Sequence, residues 1–261
     1  MQVMVLCGGM GTRIREYTEV RPKPMIEIGG VPILVHIMRM YAAAGFTEFI
    51  LCLGYKSRVI KDYFLNYKAM NSDFTVELGR PDTLQYHPVA ASDDSWRVTL
   101  ADTGEGTMTG ARIRRAAKYL RPGETFAVTY GDGVADVRLE DVLAFHRAHG
   151  KLATVTGVRP PSRFGEITHE AGVVKTFNEK PNVTEGLING GFFFLEPKFL
   201  EYVTDDPSCM LEKEPLERLV GERQLVVYEH RGFWQCMDTY RDWEHLEAAY
   251  RGGAAPWLIR K

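Results

Sequence analysis

The stretch VMVLCGGMGTR, residues 3–13, joins an apolar strand directly to a glycine-rich loop. Glycines have no Cβ, so the backbone of such a loop can approach a phosphate closely and point consecutive N–H groups at its oxygens. Thr12 adds a hydroxyl donor, and Arg13 adds a planar, permanently charged fork that suits phosphate. The stretch therefore predicts a phosphate-binding loop at the end of a first strand.

A lysine held between two prolines follows this loop in RPKPM, residues 21–25, and Pro22 and Pro24 should keep Lys23 in a set position. A glycine-rich turn on its own is often only a tight turn. The combination of three glycines with Thr12, Arg13 and Lys23 is more specific for phosphate binding. A dinucleotide fingerprint is not completed, because Ile14 stands where its third glycine is required, and no Gly-Lys-Ser/Thr of a P-loop follows. We therefore favour phosphate binding.

Composition excludes several classes of partner. The chain has 261 residues and a formal net charge of −2, so no global positive field attracts nucleic acid or an anionic membrane. No apolar run is long enough to span a bilayer, and the N-terminus resembles a strand more than a signal peptide. The cysteines form no CxxC pair and predict reduced thiols in a cytoplasmic protein. They are Cys7, Cys52, Cys209 and Cys236.

Strand and helix patterns alternate along residues 1–158, which predicts a mostly parallel, Rossmann-like α/β sheet covered by helices on both faces. The predicted strands are 3–6, 49–53, 98–101, 126–130, 153–158, 173–177, 191–195 and 225–228. The predicted helices are 32–44, 57–67 (capped by Ser57), 109–119, 139–149 and 240–250. Residues 66–96 fit an insertion with short strands. We expect a single domain, with a nucleotide-binding half at about 1–158 and a sugar-phosphate-binding half at about 159–261.

Two aspartates follow apolar runs. Asp132 lies between glycines in YGDGVAD, residues 130–136, directly after a predicted strand. Ligands of open α/β sheets bind at the carboxyl ends of strands, and carboxylates are the oxygen ligands that Mg²⁺ takes near phosphates. The glycines also permit a simple β-turn, and Asp136 is an alternative ligand that we interpret instead as a helix N-cap. Asp238 precedes the last helix, so an N-cap role competes with metal binding there too.

Taken together, these motifs resemble the glucose-1-phosphate cytidylyltransferase family of sugar nucleotidyltransferases. The resemblance runs nearly end to end. It rests on residues 6–13, 23–30, 32–38, 102–104, 108–110, 130–136, 145–150, 163–165, 179–181, 188–193 and 232–239. Cys7 replaces a usual alanine, Val35 a tryptophan, and Glu166 a small residue. The fold that the resemblance implies is the GT-A-like nucleotidyltransferase fold with a sugar-binding C-terminal elaboration.

The resemblance also implies the roles of individual residues. It gives catalytic roles to Arg13, Lys23, Asp132 and Asp238, and Mg²⁺ (or Mn²⁺) binding to the two aspartates. It gives nucleotide binding to Leu6, Cys7, Gly8, Gly9, Met10, Gly11, Thr12, Arg13, Lys23, Thr107, Arg112 and Gly131. It gives sugar-phosphate binding to Gly165, Glu179, Lys180 and Asn189. The implied substrates are CTP and glucose 1-phosphate, and the implied assembly is a homo-oligomer such as a hexamer.

The implied reaction is an in-line attack of a sugar-phosphate oxygen on the α-phosphorus of the nucleotide. A phosphate monoester is itself an adequate nucleophile, and no Ser-His-Asp or Cys-His pattern is present, so catalysis should rest on positioning and charge neutralisation. Three alternatives stay open at this point. They are transfer from UTP or dTTP or to another phosphorylated acceptor, a non-catalytic nucleotide-sugar sensor, and a nicotinamide-dependent oxidoreductase, which the missing third glycine disfavours.

Overall fold

The computed structural model describes residues 1–11, 19, 21–87, 95–159, 166–170, 173–178 and 186–258. The strands are β1 (Gln2–Leu6), β2 (Glu27–Ile28), β3 (Val31–Pro32), β4 (Glu48–Leu53), β5 (Phe74–Glu77), β6 (Arg80–Tyr86), β7 (Arg97–Asp102), β8 (Phe126–Tyr130), β9 (Gly133–Ala135), β10 (Ala153–Val158), β11 (Glu166–Glu170), β12 (Val173–Asn178), β13 (Ile188–Leu195), β14 (Leu225–His230) and β15 (Trp234–Cys236). The helices are α1 (Ile33–Ala43), α2 (Ser57–Leu65), α3 (Tyr67–Met70), α4 (Thr109–Ala116), α5 (Leu139–His149), α6 (Glu214–Gly221) and α7 (Tyr240–Arg251). Short 3₁₀ helices lie at Lys23–Met25, Ala117–Tyr119 and Pro197–Glu201.

Seven strands form one central sheet in the order β14-β10-β13-β8-β1-β4-β7. Strand β1 pairs in parallel with β8 and β4, β4 with β7, and β10 with β14. Strand β13 runs antiparallel to both of its neighbours, β8 and β10. The predicted mostly parallel α/β sheet is confirmed. Both predicted halves of the chain contribute strands to it.

Both faces of the sheet are covered, because alternate residues of a strand face opposite sides. Val3 and Val5 of β1 pack in a buried cluster with Ile33 and Ile37 of α1. Met4 and Leu6 pack in a second cluster, which contains residues of α4 and α6. The continuous apolar run of β1 therefore reflects burial on both of its faces. Within the described ranges, no helix has the length and apolar character needed to cross a membrane.

The predicted boundaries of strands 126–130 and 153–158 and of helix 139–149 match the structure, and the other predicted elements lie within a few residues of the observed ones. The predicted cap at Ser57 is wrong. Lys56 takes the N-cap position in a left-handed conformation (φ 50°), so Ser57 is already the first helical residue. The insertion 66–96 contains the predicted short strands as the antiparallel hairpin β5–β6.

We expect Phe193→Ala to destabilise the protein strongly. The Phe193 ring is fully buried in the second cluster between strand residues and the 3₁₀ helix at Pro197–Glu201, so its removal leaves a cavity. Such a truncation costs about 3–5 kcal/mol of the free energy of unfolding. Urea unfolding followed by circular dichroism measures it. Phe74→Ala, at a well-exposed ring of the hairpin, is the matched control; similar losses for the two variants would contradict the assignment of the core.

Candidate active site

A cavity of about 610 Å³ opens beside the carboxyl ends of β1 and β8. Most of the residues predicted for the site line it. They are Leu6, Cys7, Gly8, Gly9, Gly11, Lys23, Thr107, Arg112, Gly131, Asp132, Asn189 and Asp238. Met10 is exposed and does not line the cavity. Thr12, Arg13, Gly165, Glu179 and Lys180 lie outside the described residues. The parallel pairing of β1 with β8 explains why residues 6–11 and 131–132 meet.

The glycine loop leaves β1 and passes directly over the side chain of Arg112. A Cβ on Gly8 would lie 2.1 Å from the guanidinium carbon of Arg112, so a larger residue there would have to displace the hydrogen-bonded guanidinium group. Gly131 is similarly restricted: its Cβ would lie 3.0 Å from the carbonyl oxygen of Leu6. At both glycines a side chain would force its surroundings to shift.

Arg112 ties the glycine loop to the neighbouring segment. Its side chain is buried in α4, where Nη2 donates to the carbonyl oxygens of Gly8 (2.9 Å) and Glu105 (3.1 Å). Nη1 donates to the carbonyl oxygens of Leu53 (3.0 Å) and Gly104 (2.8 Å) and to Oγ1 of Thr103 (2.8 Å). A guanidinium, which carries five N–H donors, suits such a set of acceptors. Arg112 thus positions the loop and segment 103–107 from beneath the cavity.

Asp132 and Asp238 are brought together by a two-stranded ribbon. Strand β9 begins just after Asp132, strand β15 ends two residues before Asp238, and the two strands pair antiparallel. The N–H of Met237 then donates to the carbonyl oxygen of Asp132 at 2.8 Å. The ribbon therefore sets the separation of two carboxylates that are far apart in the sequence.

Lys23 contacts both carboxylates. Its Nζ lies 2.5 Å from Oδ2 of Asp132 and 2.6 Å from Oδ1 of Asp238. The lysine belongs to the 3₁₀ helix at Lys23–Met25, which Pro22 precedes, as expected for a proline-stiffened segment. Burial lowers the pKa of Lys23, but the charges and hydrogen bonds of the two aspartates outweigh it and raise that pKa above its usual value. The lysine is therefore held in its charged form.

Neither aspartate considered as a helix cap has that role. Helix α7 is capped by Thr239, whose Oγ1 accepts from the N–H of Asp242 while the Asp242 carboxylate accepts from the Thr239 N–H. This capping box leaves the Asp238 side chain directed to Lys23.

The N-cap interpretation of Asp136 is wrong: α5 begins at Leu139 with Arg138 at its N-cap position. An Asp136 oxygen lies instead 2.9 Å from Nε2 of His230, and Asp136 does not line the cavity.

A polar wall that the motifs did not reveal closes another side of the cavity. Nδ2 of Asn189 donates to the Tyr130 hydroxyl (3.2 Å), which in turn donates to Glu212. The second oxygen of Glu212 accepts from Oγ1 of Thr109 at 2.7 Å. All four line the cavity, as does Trp234. Of these residues, Asn189 was identified from the sequence, whereas Glu212 lies in an irregular segment, where periodicity offers no signal.

The thiols near the cavity are poor nucleophiles. Burial raises the pKa of Cys7 well above its usual value, and burial together with Asp238 raises the pKa of Cys236 to about 12. Reactivity requires the thiolate, which these environments disfavour. Cys7 and Cys52 are fully buried, and all four cysteines are free. Neither thiol is therefore suited to act as a nucleophile in this cavity.

A divalent cation fits the donor set of the site. The carboxylates of Asp132 and Asp238 converge on one point, since both reach the same Lys23 nitrogen. Among the described residues, no cluster of three or more His, Cys, Asp or Glu side chains suited to a metal ion is found. Two carboxylates are the usual protein contribution to Mg²⁺ sites that take their other ligands from phosphates and water. The arrangement suits a cation that arrives with a phosphate ligand.

Residues 2–243 match the nucleotidyl transferase family, and the chain belongs to that family. Over its whole length it is similar to two cytidylyltransferases. The glucose-1-phosphate cytidylyltransferase of Salmonella typhi is 47% identical over 257 residues, which cover 98% of each chain. The probable glucose-1-phosphate cytidylyltransferase of Bacillus subtilis is 42% identical over 267 residues, covering 99% of this chain and 100% of that one.

Solved structures agree with the fold. A putative glucose-1-phosphate thymidylyltransferase from Bacillus anthracis superposes with a TM-score of 0.68 at 14% identity, covering 100% of this chain and 97% of its own. A UDP-glucose pyrophosphorylase complexed with UDP-glucose gives a TM-score of 0.68 at 17% identity, covering 97% of this chain and 98% of its own. At such identities the likeness establishes the fold alone, and that fold is the one expected from the sequence.

We expect Arg112→Lys to weaken both folding and nucleotide binding. A single ammonium group cannot reach acceptors on both sides of the guanidinium, so buried carbonyl groups of the loop lose their partners at about 1–3 kcal/mol each. The KM for the nucleoside triphosphate should rise, and the urea midpoint should fall. Arg114→Lys, on an exposed position of the same helix, is the control and should leave both unchanged. A normal KM and midpoint in Arg112→Lys would rule out its role in holding the loop.

Proposed function

We propose that this enzyme joins CTP and α-D-glucose 1-phosphate to give CDP-glucose and pyrophosphate. The observation that carries the proposal is the full-length similarity to cytidylyltransferases, at 47% and 42% identity. The cavity supports it, because the glycine loop, Lys23 and the paired aspartates line one space. The net charge of −2 means that the two anionic substrates must be held by this local set of donors.

In the proposed reaction, an oxygen of the sugar phosphate attacks the α-phosphorus of CTP. A new P–O bond forms as the bond between the α-phosphorus and the bridging oxygen breaks, and pyrophosphate leaves with the electron pair. Both substrates are polyanions, so the protein has to align them and offset their charges. We assign the N–H groups of the glycine loop and Lys23 to the triphosphate, and Arg13 to the pyrophosphate as its charge grows.

We propose that Asp132 and Asp238 hold Mg²⁺, which Mn²⁺ can replace. When bound, the cation supplies neutralisation of the phosphate charges and a template for their orientation. The convergence of both carboxylates on one point supports this assignment. Thr107, Arg112 and Gly131 complete the nucleotide end, with Arg112 acting through the loop that it holds rather than by direct contact.

We assign the sugar phosphate to Gly165, Glu179 and Lys180, together with Asn189. Of these, Asn189 is within the described residues and lines the cavity beside Tyr130. A hydroxyl-rich sugar needs hydrogen-bonding side chains around it, and the wall of Asn189, Tyr130 and Glu212 offers them. By the same resemblance, we propose that the enzyme works in the cytosol as a homo-oligomer, with a hexamer as the expected form.

Replacing either metal-binding aspartate should abolish turnover. We expect Asp132→Ala and Asp238→Ala each to lower kcat by several powers of ten with a folded protein, because phosphoryl chemistry depends on cation neutralisation. Pyrophosphate release measures kcat, and circular dichroism checks folding. Asp136→Asn is the control, since this carboxylate contacts His230 outside the cavity. Near-normal turnover in Asp132→Ala would contradict the assignment of this aspartate to the metal site.

CTP should be the preferred nucleotide. Pyrophosphate release with each of the four common nucleoside triphosphates, at saturating glucose 1-phosphate, gives kcat/KM for each. We expect the largest value for CTP. A larger value for UTP or dTTP would overturn the proposed base preference while leaving the reaction class intact. The same assay with a panel of sugar 1-phosphates at saturating CTP then tests the choice of glucose.

A further inference from the structure

The amino group of Lys23 takes the place between the two carboxylates that the proposed function gives to the divalent cation. Its contacts of 2.5 Å and 2.6 Å are direct ion pairs with Asp132 and Asp238. The lysine side chain is mostly buried, and about two-thirds or more of each carboxylate is covered as well. Interactions between charges are stronger in such surroundings than at an exposed surface.

Two carboxylates that converge on one point repel each other unless a cation lies between them. The ribbon of β9 and β15 fixes their backbones, so only rotation of the side chains is left to relieve the repulsion. Lys23 supplies a positive charge at that point. A divalent cation bound to the same oxygens would lie within a few ångströms of the ammonium group, and the two positive charges would repel each other.

We propose that Lys23 is an internal counter-ion, which holds the metal-binding carboxylates together and releases them when a nucleoside triphosphate enters with its cation. The inference rests on the proposed function and deepens it. The backbone at Lys23 is fixed by the 3₁₀ helix and by Pro22 and Pro24, but its flexible four-carbon stem can turn without moving that backbone. Gly8, Gly9 and Gly11 line the same cavity, so the phosphates bound there would give Lys23 a new partner.

Metal and nucleotide binding are then coupled. Before the nucleotide binds, a cation has to displace Lys23 from two ion pairs, and the displaced ammonium group gains no new partner. After it binds, the phosphates take the ammonium group and supply oxygen ligands to the cation. By linkage, the nucleotide must raise the affinity for the metal by the same factor as the metal raises that for the nucleotide. Lys23 makes the empty enzyme a poor metal binder and the nucleotide complex a good one.

The test measures Mn²⁺ binding without nucleotide, by electron paramagnetic resonance of the free ion, in wild type, Lys23→Met and Lys118→Met. Removal of the competing ammonium group should tighten Mn²⁺ binding roughly ten- to a hundred-fold in Lys23→Met, the equivalent of a lost charge-assisted contact. Lys118→Met makes the same change in net charge at an exposed position outside the cavity and should bind Mn²⁺ as wild type does. Equal affinities in Lys23→Met and wild type would overturn the proposal.

Thermal unfolding gives a second readout. Lys23→Met should unfold at a lower temperature than wild type in EDTA and recover in Mn²⁺, because the ion replaces the lost charge; failure to recover would count against the proposal.

Crystals of the wild-type enzyme soaked in Mn²⁺ test the proposal without any variant. With CTP, the anomalous signal of manganese should lie between the carboxylates with Lys23 turned to a phosphate, and a lysine still on both carboxylates would refute the exchange.

Failure of the proposed function has a different signature. If manganese contacts neither aspartate in the CTP complex, the assignment of the metal site is wrong, and the inference falls with it. If manganese binds there equally well with and without CTP, the metal site stands and the exchange of Lys23 does not.

Discussion

The parallel hydrogen bonding of β1 to β8 on one side and to β4 on the other is the constraint on which the site depends. It places the ends of three strands side by side, so the chain that leaves β1 as the glycine loop meets the chain that leaves β8 as Gly131 and Asp132. The N–H of Gly131 donates to the carbonyl oxygen of Leu6 at 3.1 Å, and this continues the ladder into the loop. A Cβ on Gly131 would lie 3.0 Å from the same carbonyl oxygen, so a side chain there would push the two chains apart by a few tenths of an ångström.

Much of this architecture could be predicted from the sequence because its signals are local. Strands such as residues 126–130 are short apolar runs bounded by polar or turn residues, and helix 139–149 ends at Gly150, which adopts φ 64°. The glycine loop, Lys23 between its prolines and Asp132 after a strand were identified as site residues for the same reason. Each of these motifs can be recognised from the residues adjacent to it in the sequence, and each contributes residues to the lining of the cavity.

What could not be predicted depends on contacts between distant parts of the chain. The three-residue strands β9 and β15 are too short for any periodicity, yet their pairing sets the positions of Asp132 and Asp238. The contact of Lys23 with both aspartates spans 109 and 215 residues of sequence. Glu212 gave no signal because it stands in an irregular segment. The caps assigned to Ser57 and Asp136 failed because polar and acidic residues just before a helical pattern resemble caps, whereas Lys56 and Arg138 hold those positions. At α7, where a cap role competed for Asp238, Thr239 is the cap.

The manner in which Arg112 is held has a consequence for how such an enzyme can change over evolution. Four of its five acceptors are backbone carbonyl oxygens, which every amino acid provides. Segment 103–107 therefore keeps its conformation largely independently of the side chains it carries at Glu105 and Gly106, and a Cβ on Gly106 would meet open space. Mutations at these two positions can therefore change the surface of the segment without unfolding the support beneath it. A scaffold built in this way can accept single substitutions in that segment while the glycine loop on the other side of Arg112 keeps its position.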